Sequence, residues 1–256
     1  MEPRIQYAKT SDGVSIAFLT EGEGMPFVIV PGMPISNVHR QKKMAQWGAS
    51  FAFAASRYRL VAYDRRGFGL SQRYVDDFSL DKLVLDIEAV ADHVALERFV
   101  LSASILAGPV GIAYAVRHPD RVSHLILTNS LAKGAAFWQS PRTRAFRALR
   151  EADWDTYAEA IARFAFEDPE EGAAIIREST TPENARNFMD ATEGYDVLGL
   201  LPQVKCETLV IHVAGELIDL APEETRRLAA GITGAGLAVV NDIESGLRAV
   251  ETFLAG

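Results

Sequence analysis

Short, largely apolar segments that alternate with amphipathic stretches constrain the fold of this chain more than any other feature of its sequence. These segments occupy residues 27–30, 58–63, 99–103, 122–128, 208–212 and 237–240. A strand buried on both faces has this continuous apolar character. Helical periodicity occupies most of the sequence between them, at 39–57, 79–95, 108–118, 223–230 and 246–254. This alternation predicts an α/β fold with a mostly parallel, doubly wound sheet.

Two regions depart from the alternation. Residues 5–18 alternate apolar and polar side chains around a turn at 11–13, which predicts a β-hairpin. Residues 142–166 and 169–189 have charged helical patterns with no strand between them. We therefore expect an α/β core formed by 1–133 and 196–256, with a helical cap inserted at 134–195.

Charge and composition exclude several classes of function. The chain has 256 residues, with 26 Lys and Arg against 34 Asp and Glu, for a formal net charge of −8. Nucleic-acid binding needs a basic surface, so no nucleic-acid partner is expected. No apolar segment approaches the ~20 residues of a membrane span, and the first residues lack a signal-peptide core, which predicts a cytoplasmic protein without membrane association.

Cofactor chemistry leaves no mark on the sequence. Cys206 is the single cysteine, so neither an intramolecular disulfide nor a cysteine-based zinc site is expected. No glycine-rich dinucleotide motif and no histidine pair with metal spacing occurs. We expect no cofactor and no metal, and the oligomeric state stays open.

Two longer motifs carry a family resemblance. Residues 63–71 have the sequence YDRRGFGLS, which resembles the Y-D-x-R-G-x-G-x-S loop of the α/β-hydrolases. Residues 108–122, GPVGIAYAVRHPDRV, resemble the helix that follows the nucleophile in that family. The resemblance extends from about residue 5 to 240. It implies an α/β-hydrolase fold of the esterase-like, capped kind, with the cap above the substrate pocket.

The catalytic residues that the resemblance implies are only partly present. The family places a nucleophile in a strained G-x-S-x-G turn between a strand and a helix. Counting back from Gly108 without a gap places Ile105 at that position, between the small residues Ala103 and Ala107. An isoleucine side chain cannot attack a carbonyl, so the triad is expected to be degenerate.

The acid and base positions follow from the same resemblance. Glu216 is the direct match for the acid, and Asp219 is a second candidate. Residues 237–256 contain no histidine, and Ser245 falls near the position of the base. The loop 31–34, PGMP, resembles the family's oxyanion loop, with Met33 contributing a backbone N–H.

Two weaker catalytic candidates remain. Ser104 could act as a displaced nucleophile, but a slip of one residue would put Leu106 where a small residue is needed. We favour a structural interpretation of Ser104, as a small polar residue near a strand end. His39 is the histidine placed to approach the pocket, because it follows the oxyanion loop.

The sequence supports three functional hypotheses, in descending order. In the first, the protein is a non-hydrolytic homologue that binds a small apolar molecule under the cap, in a pocket formed by Gly32, Met33, Ile105 and Leu106. The default ligand site is an apolar cavity with a few polar groups. The second is an enzyme of non-standard mechanism that uses Glu216 or Asp219 on a carbonyl or ester-type molecule. The third is a hydrolase that uses Ser104.

Overall fold

A single eight-stranded sheet organises the protein. The computed structural model describes residues 4–32, 36–42, 45–214 and 220–256. The sheet has the order β1-β2-β4-β3-β5-β6-β7-β8, in which β1 and β2 run antiparallel to their neighbours and the other pairs are parallel. The strands are β1 (Gln6–Lys9), β2 (Ser15–Glu21), β3 (Pro26–Val30), β4 (Arg59–Tyr63), β5 (Phe99–Ser104), β6 (Val122–Thr128), β7 (Glu207–Val213) and β8 (Gly236–Val240). The predicted hairpin and the mostly parallel sheet are confirmed.

Helices cover both faces of the sheet. They are α1 (Val38–Gln41), α2 (Ala45–Arg57), α3 (Leu80–His93), α4 (Gly108–Arg117), α10 (Pro222–Gly231) and α11 (Ile243–Ala255). Successive residues of a strand point to opposite faces. Leu101 of β5 therefore joins the core cluster of α3 and α4, whereas Val100 joins the cluster that contains Phe51 of α2 and Val250 of α11. Within the described ranges, no helix combines the length and apolar character that a membrane crossing requires.

The chain between β6 and β7 is helical. It forms α5 (Gly134–Trp138), α6 (Pro141–Ala152), α7 (Trp154–Ala165), α8 (Pro169–Ser179) and α9 (Pro182–Glu193). The sequence pattern predicts only two long helices here, and each is divided. Asp153 ends α6 and caps α7 by accepting a hydrogen bond from the Thr156 N–H at 2.7 Å, and Thr181 caps α9 in the same way. A capping side chain satisfies a free backbone donor and so starts a new helix.

The loop after β4 connects the sheet to the segment that precedes α1. The buried Asp64 carboxylate accepts hydrogen bonds from the Val38 N–H at 2.8 Å, the Leu70 N–H at 2.9 Å and the Ser36 hydroxyl at 3.0 Å. Arg65 donates to the Pro31 carbonyl oxygen at 2.7 Å. These bonds hold both ends of the predicted oxyanion loop, so the family-like motif at 63–71 has a bracing role here.

Candidate functional site

The turn between β5 and α4 is strained. β5 ends at Ser104, a single 3₁₀ turn covers Ile105–Ala107, and α4 begins at Gly108. Ile105 has a φ of 54°, in the left-handed region. A β-branched residue rarely adopts that region, because its side chain collides with its own backbone. The strain persists only where the surrounding structure enforces it, so the turn is a specified feature of the fold.

Close packing of small residues enforces this turn. A Cβ added at Gly111 of α4 would lie 2.9 Å from the Ala103 Cβ of β5, and a Cβ at Gly108 would overlap the Ser130 hydroxyl. That hydroxyl donates to the Ile105 carbonyl oxygen at 3.1 Å. The helix therefore lies directly against the strand, and Ser130 holds the turn from the end of β6.

A cavity of about 420 Å³ adjoins the turn. We call it the chamber. It lies between the sheet and the helices α2 and α11, because its walls come from side chains on that face of β3 to β7. Its apolar walls include Phe27, Ile29, Val38, Phe51, Phe53, Ala54, Ile105, Ile126, Ile211, Val213, Ile243, Leu247 and Val250. Its polar lining residues are Gln41, Ser50, Tyr63, Ser102, Ser104, Thr128 and Asn129.

The structure places the predicted pocket residues as follows. Gly32 and Ile105 both line the chamber. Leu106 does not: it packs on the other face of the sheet, near Leu83 and Val110, because consecutive residues of the turn point in different directions. Met33 lies outside the described residues. The expected position beneath the cap also needs correction, because Ala165 is the lining residue that the described cap helices contribute.

The predicted triad positions do not come together around the chamber. Ser245 lies in the first turn of α11 and is absent from the chamber's lining, and its hydroxyl accepts a hydrogen bond from the Arg248 guanidinium at 2.7 Å. Ser104 lines the chamber, and its hydroxyl makes no hydrogen bond to the described residues. Glu216 and Asp219 lie outside the described residues.

Histidine is absent from the chamber lining. All five histidines belong to the described part of the chain, and none is among the chamber's lining residues. His39 lies on α1, outside the lining. His118 is 2.7 Å from a Glu88 carboxylate oxygen, and His124 packs edge-on against Phe253. The described residues also hold no cluster of three side chains suited to a metal. The chamber as described therefore has no imidazole to accept a proton from a hydroxyl.

Sequence reasoning missed most of the chamber wall. Phe51 and Val250 had been assigned only to amphipathic helices, and the hydroxyls of Ser102 and Thr128 only to apolar strands. The available signal was the presence of hydroxyl residues in strands predicted to be buried on both faces. A buried hydroxyl needs a hydrogen-bond partner, so such positions indicate either an internal network or a cavity.

Sequence comparison places these features in a family. A family described as having the alpha/beta hydrolase fold matches residues 25–168, more than half of the chain. The chain belongs to this α/β-hydrolase family. Similar curated proteins include the "Putative carbamate hydrolase RutD" of Rhizobium rhizogenes, 26% identical over 75% of this chain and 78% of that protein. The "AB hydrolase superfamily protein YisY" of Bacillus subtilis is 24% identical, with 80% of each chain covered.

Solved α/β-hydrolase structures share the fold. A bromoperoxidase from Bacillus anthracis superposes with a TM-score of 0.83 at 16% identity, covering 99% of this chain and 100% of that one. A thermophilic esterase from Thermogutta terrifontis superposes with a TM-score of 0.77 at 24% identity, covering 98% of each chain. Identities this low establish the architecture and leave the reaction open.

Proposed function

We propose that this protein is a non-hydrolytic member of its family that binds a small apolar molecule in the chamber. The observation that carries the proposal is Ile105 itself. It occupies the strained strand-to-helix turn, where the family resemblance places a nucleophile, and its side chain forms part of the chamber wall. An aliphatic side chain there supplies contact surface for a ligand and no reactive atom.

The composition of the chamber supports the same function. Its volume of about 420 Å³ lies within the ~300–1,000 Å³ of typical small-molecule sites. The described lining residues carry no charge and are mainly aliphatic and aromatic. Burial of apolar surface is the main favourable contribution to binding in such a site.

One observation favours a second candidate, a hydrolase that uses Ser104. Its hydroxyl faces the chamber and makes no hydrogen bond to the described residues. A serine nucleophile needs a base to take its proton, and the chamber as described contains no histidine. The remaining hypothesis, an enzyme of non-standard mechanism, depends on Glu216 or Asp219, which lie outside the described residues.

Binding can be tested with a variant that fills the chamber. Gly246 of α11 lines it, and a Cβ there would meet Val213, Val240 and Ile211 at 3.7–3.9 Å, which are ordinary contact distances. Gly246→Leu should therefore fold and occupy the ligand's space. We expect ethylbenzene to bind the unmodified protein in isothermal titration calorimetry and to lose measurable binding to this variant.

A matched control comes from a glycine outside the chamber. Gly199 is exposed, with no atom within 4 Å of an added Cβ, so Gly199→Leu should bind ethylbenzene as the unmodified protein does. No heat of binding to the unmodified protein, or equal binding to the Gly246→Leu variant, would refute ligand binding in the chamber.

Hydrolysis is tested separately with p-nitrophenyl acetate and p-nitrophenyl octanoate. We expect no turnover above background, and none from Ile105→Ser, because a restored serine would still lack a base. Turnover that Ser104→Ala abolishes would instead establish the Ser104 hydrolase.

A further inference from the structure

We infer that the chamber takes a neutral amphiphile, whose hydroxyl or carbonyl head contacts the hydroxyl groups of β5 and β6 and whose apolar part packs against α2 and α11. This inference rests on the proposed function and specifies its ligand class.

Three hydroxyl groups form a polar patch on an otherwise apolar sheet face. Ser102 and Ser104 lie on β5, and Thr128 lies on β6, directly beside Ser104 in the parallel register. All three line the chamber. They are half-buried on central strands whose neighbouring residues are mostly buried, so their residual exposure is to the chamber.

These hydroxyls have no hydrogen-bond partner among the described residues. None of the three donates to or accepts from a described group. The neighbouring Asn129 differs, because its amide exchanges hydrogen bonds with the Val213 backbone at 3.2 and 2.9 Å. Enclosed polar groups are normally paired. Three unpaired hydroxyls on one cavity wall therefore point to a polar partner that comes from outside the chain.

The apolar part of the chamber lies along the same strands. Phe27 of β3 pairs in register with Val100, four residues before Ser104. At about 3.3 Å per residue, the two levels are about 13 Å apart along the sheet. Phe51 and Phe53 of α2 and Leu247 of α11 line the chamber as well. Its 420 Å³ corresponds to about 14 water-sized groups at ~30 Å³ each, which suits a molecule of about ten non-hydrogen atoms.

The absence of charge from the described lining determines the kind of head group. A carboxylate or ammonium buried there would have no opposite charge beside it, and an unpaired buried charge is strongly disfavoured. A hydroxyl or carbonyl loses little on entering, because Ser104 and Thr128 can replace its hydrogen bonds to water. The chamber should therefore select a neutral head over an ionised head on the same chain.

The experiment compares 1-octanol with octanoate, which have the same chain length, at pH 8, with ethylbenzene as an apolar reference. We expect octanol to bind with a Kd at least tenfold below that of octanoate. Thr128→Val keeps the side-chain shape and removes the hydroxyl. It should weaken octanol binding by about 2- to 12-fold, the equivalent of one neutral hydrogen bond, and leave ethylbenzene binding unchanged.

Controls separate this inference from the proposed function. Thr252→Val removes an exposed hydroxyl of α11 outside the chamber lining and should change no Kd. Ser104→Ala provides a second test if Thr128→Val does not fold. Octanoate binding as tightly as octanol, or equal losses for octanol and ethylbenzene, would overturn the head-group assignment while ligand binding stands. Failure of all three probes to bind would remove the proposed function as well.

Discussion

Backbone strain at Ile105 leads to an inverted order of stability between two substitutions. Replacing Ile105 by Ala or by Gly removes nearly the same side-chain contacts, so the difference between the variants reports mainly on the backbone. At a φ of 54°, a residue with a Cβ loses about 1–2 kcal/mol. Glycine avoids that cost but loses about 0.5–1 kcal/mol through its greater freedom in the unfolded chain. We expect Ile105→Gly to be more stable than Ile105→Ala by about 0.5–1 kcal/mol.

The assay is urea unfolding of both variants followed by circular dichroism, with thermal unfolding as a second measure. For a chain of this length the difference corresponds to about 1–3 °C in Tm. The control is Ala160→Gly in the interior of α7, where the backbone is helical. There the usual order applies, and glycine should lower the free energy of unfolding by about 0.5–1 kcal/mol.

The opposite order at Ile105 would refute the reasoning. If the alanine variant is more stable than the glycine variant by as much as at Ala160, the turn is not strained. The placement of Ile105 at a specified left-handed position would then be wrong, and with it the main support for the proposed function.

Three further predictions concern the elements around the site. Gly108→Ala should destabilise the protein by about 1–3 kcal/mol, because the added Cβ would overlap the Ser130 hydroxyl; unchanged urea unfolding would contradict this. Asp86→Ala should cost about 3–5 kcal/mol, because Arg66, which is 2% exposed, loses its buried partner at 2.8 Å; a loss below about 1 kcal/mol in the same assay would show that the pair contributes little. Burial raises the pKa of Asp64 from 3.8 to about 6, with its hydrogen bonds opposing the rise. The folded state therefore binds more protons between pH 4 and 6, and this group's contribution to stability falls as pH rises through that window. Carboxyl ¹³C NMR should show a titration midpoint near 6, and a midpoint near 4 would exclude the raised pKa.

Local sequence determined the order of the elements and the occupant of the turn. Strands and helices are predicted by periodicities of two and 3.6 residues, which are properties of neighbouring positions. The position of Ile105 follows from a count of three residues back from Gly108, and the structure places it in the strand-to-helix turn. The division of the cap helices at Asp153 is also local information, because a capping side chain acts within three residues.

Only the tertiary structure decided where the chamber lies. Its wall combines Phe27, Ser104 and Thr128 with Phe51 and Val250, residues separated by up to 223 positions in the chain. Whether side chains on two helices fill the space above five strands depends on how far those helices stand from the sheet. Periodicity reports only which face of each element is apolar. A cavity and a filled core therefore share one sequence pattern, and packing in three dimensions distinguishes them.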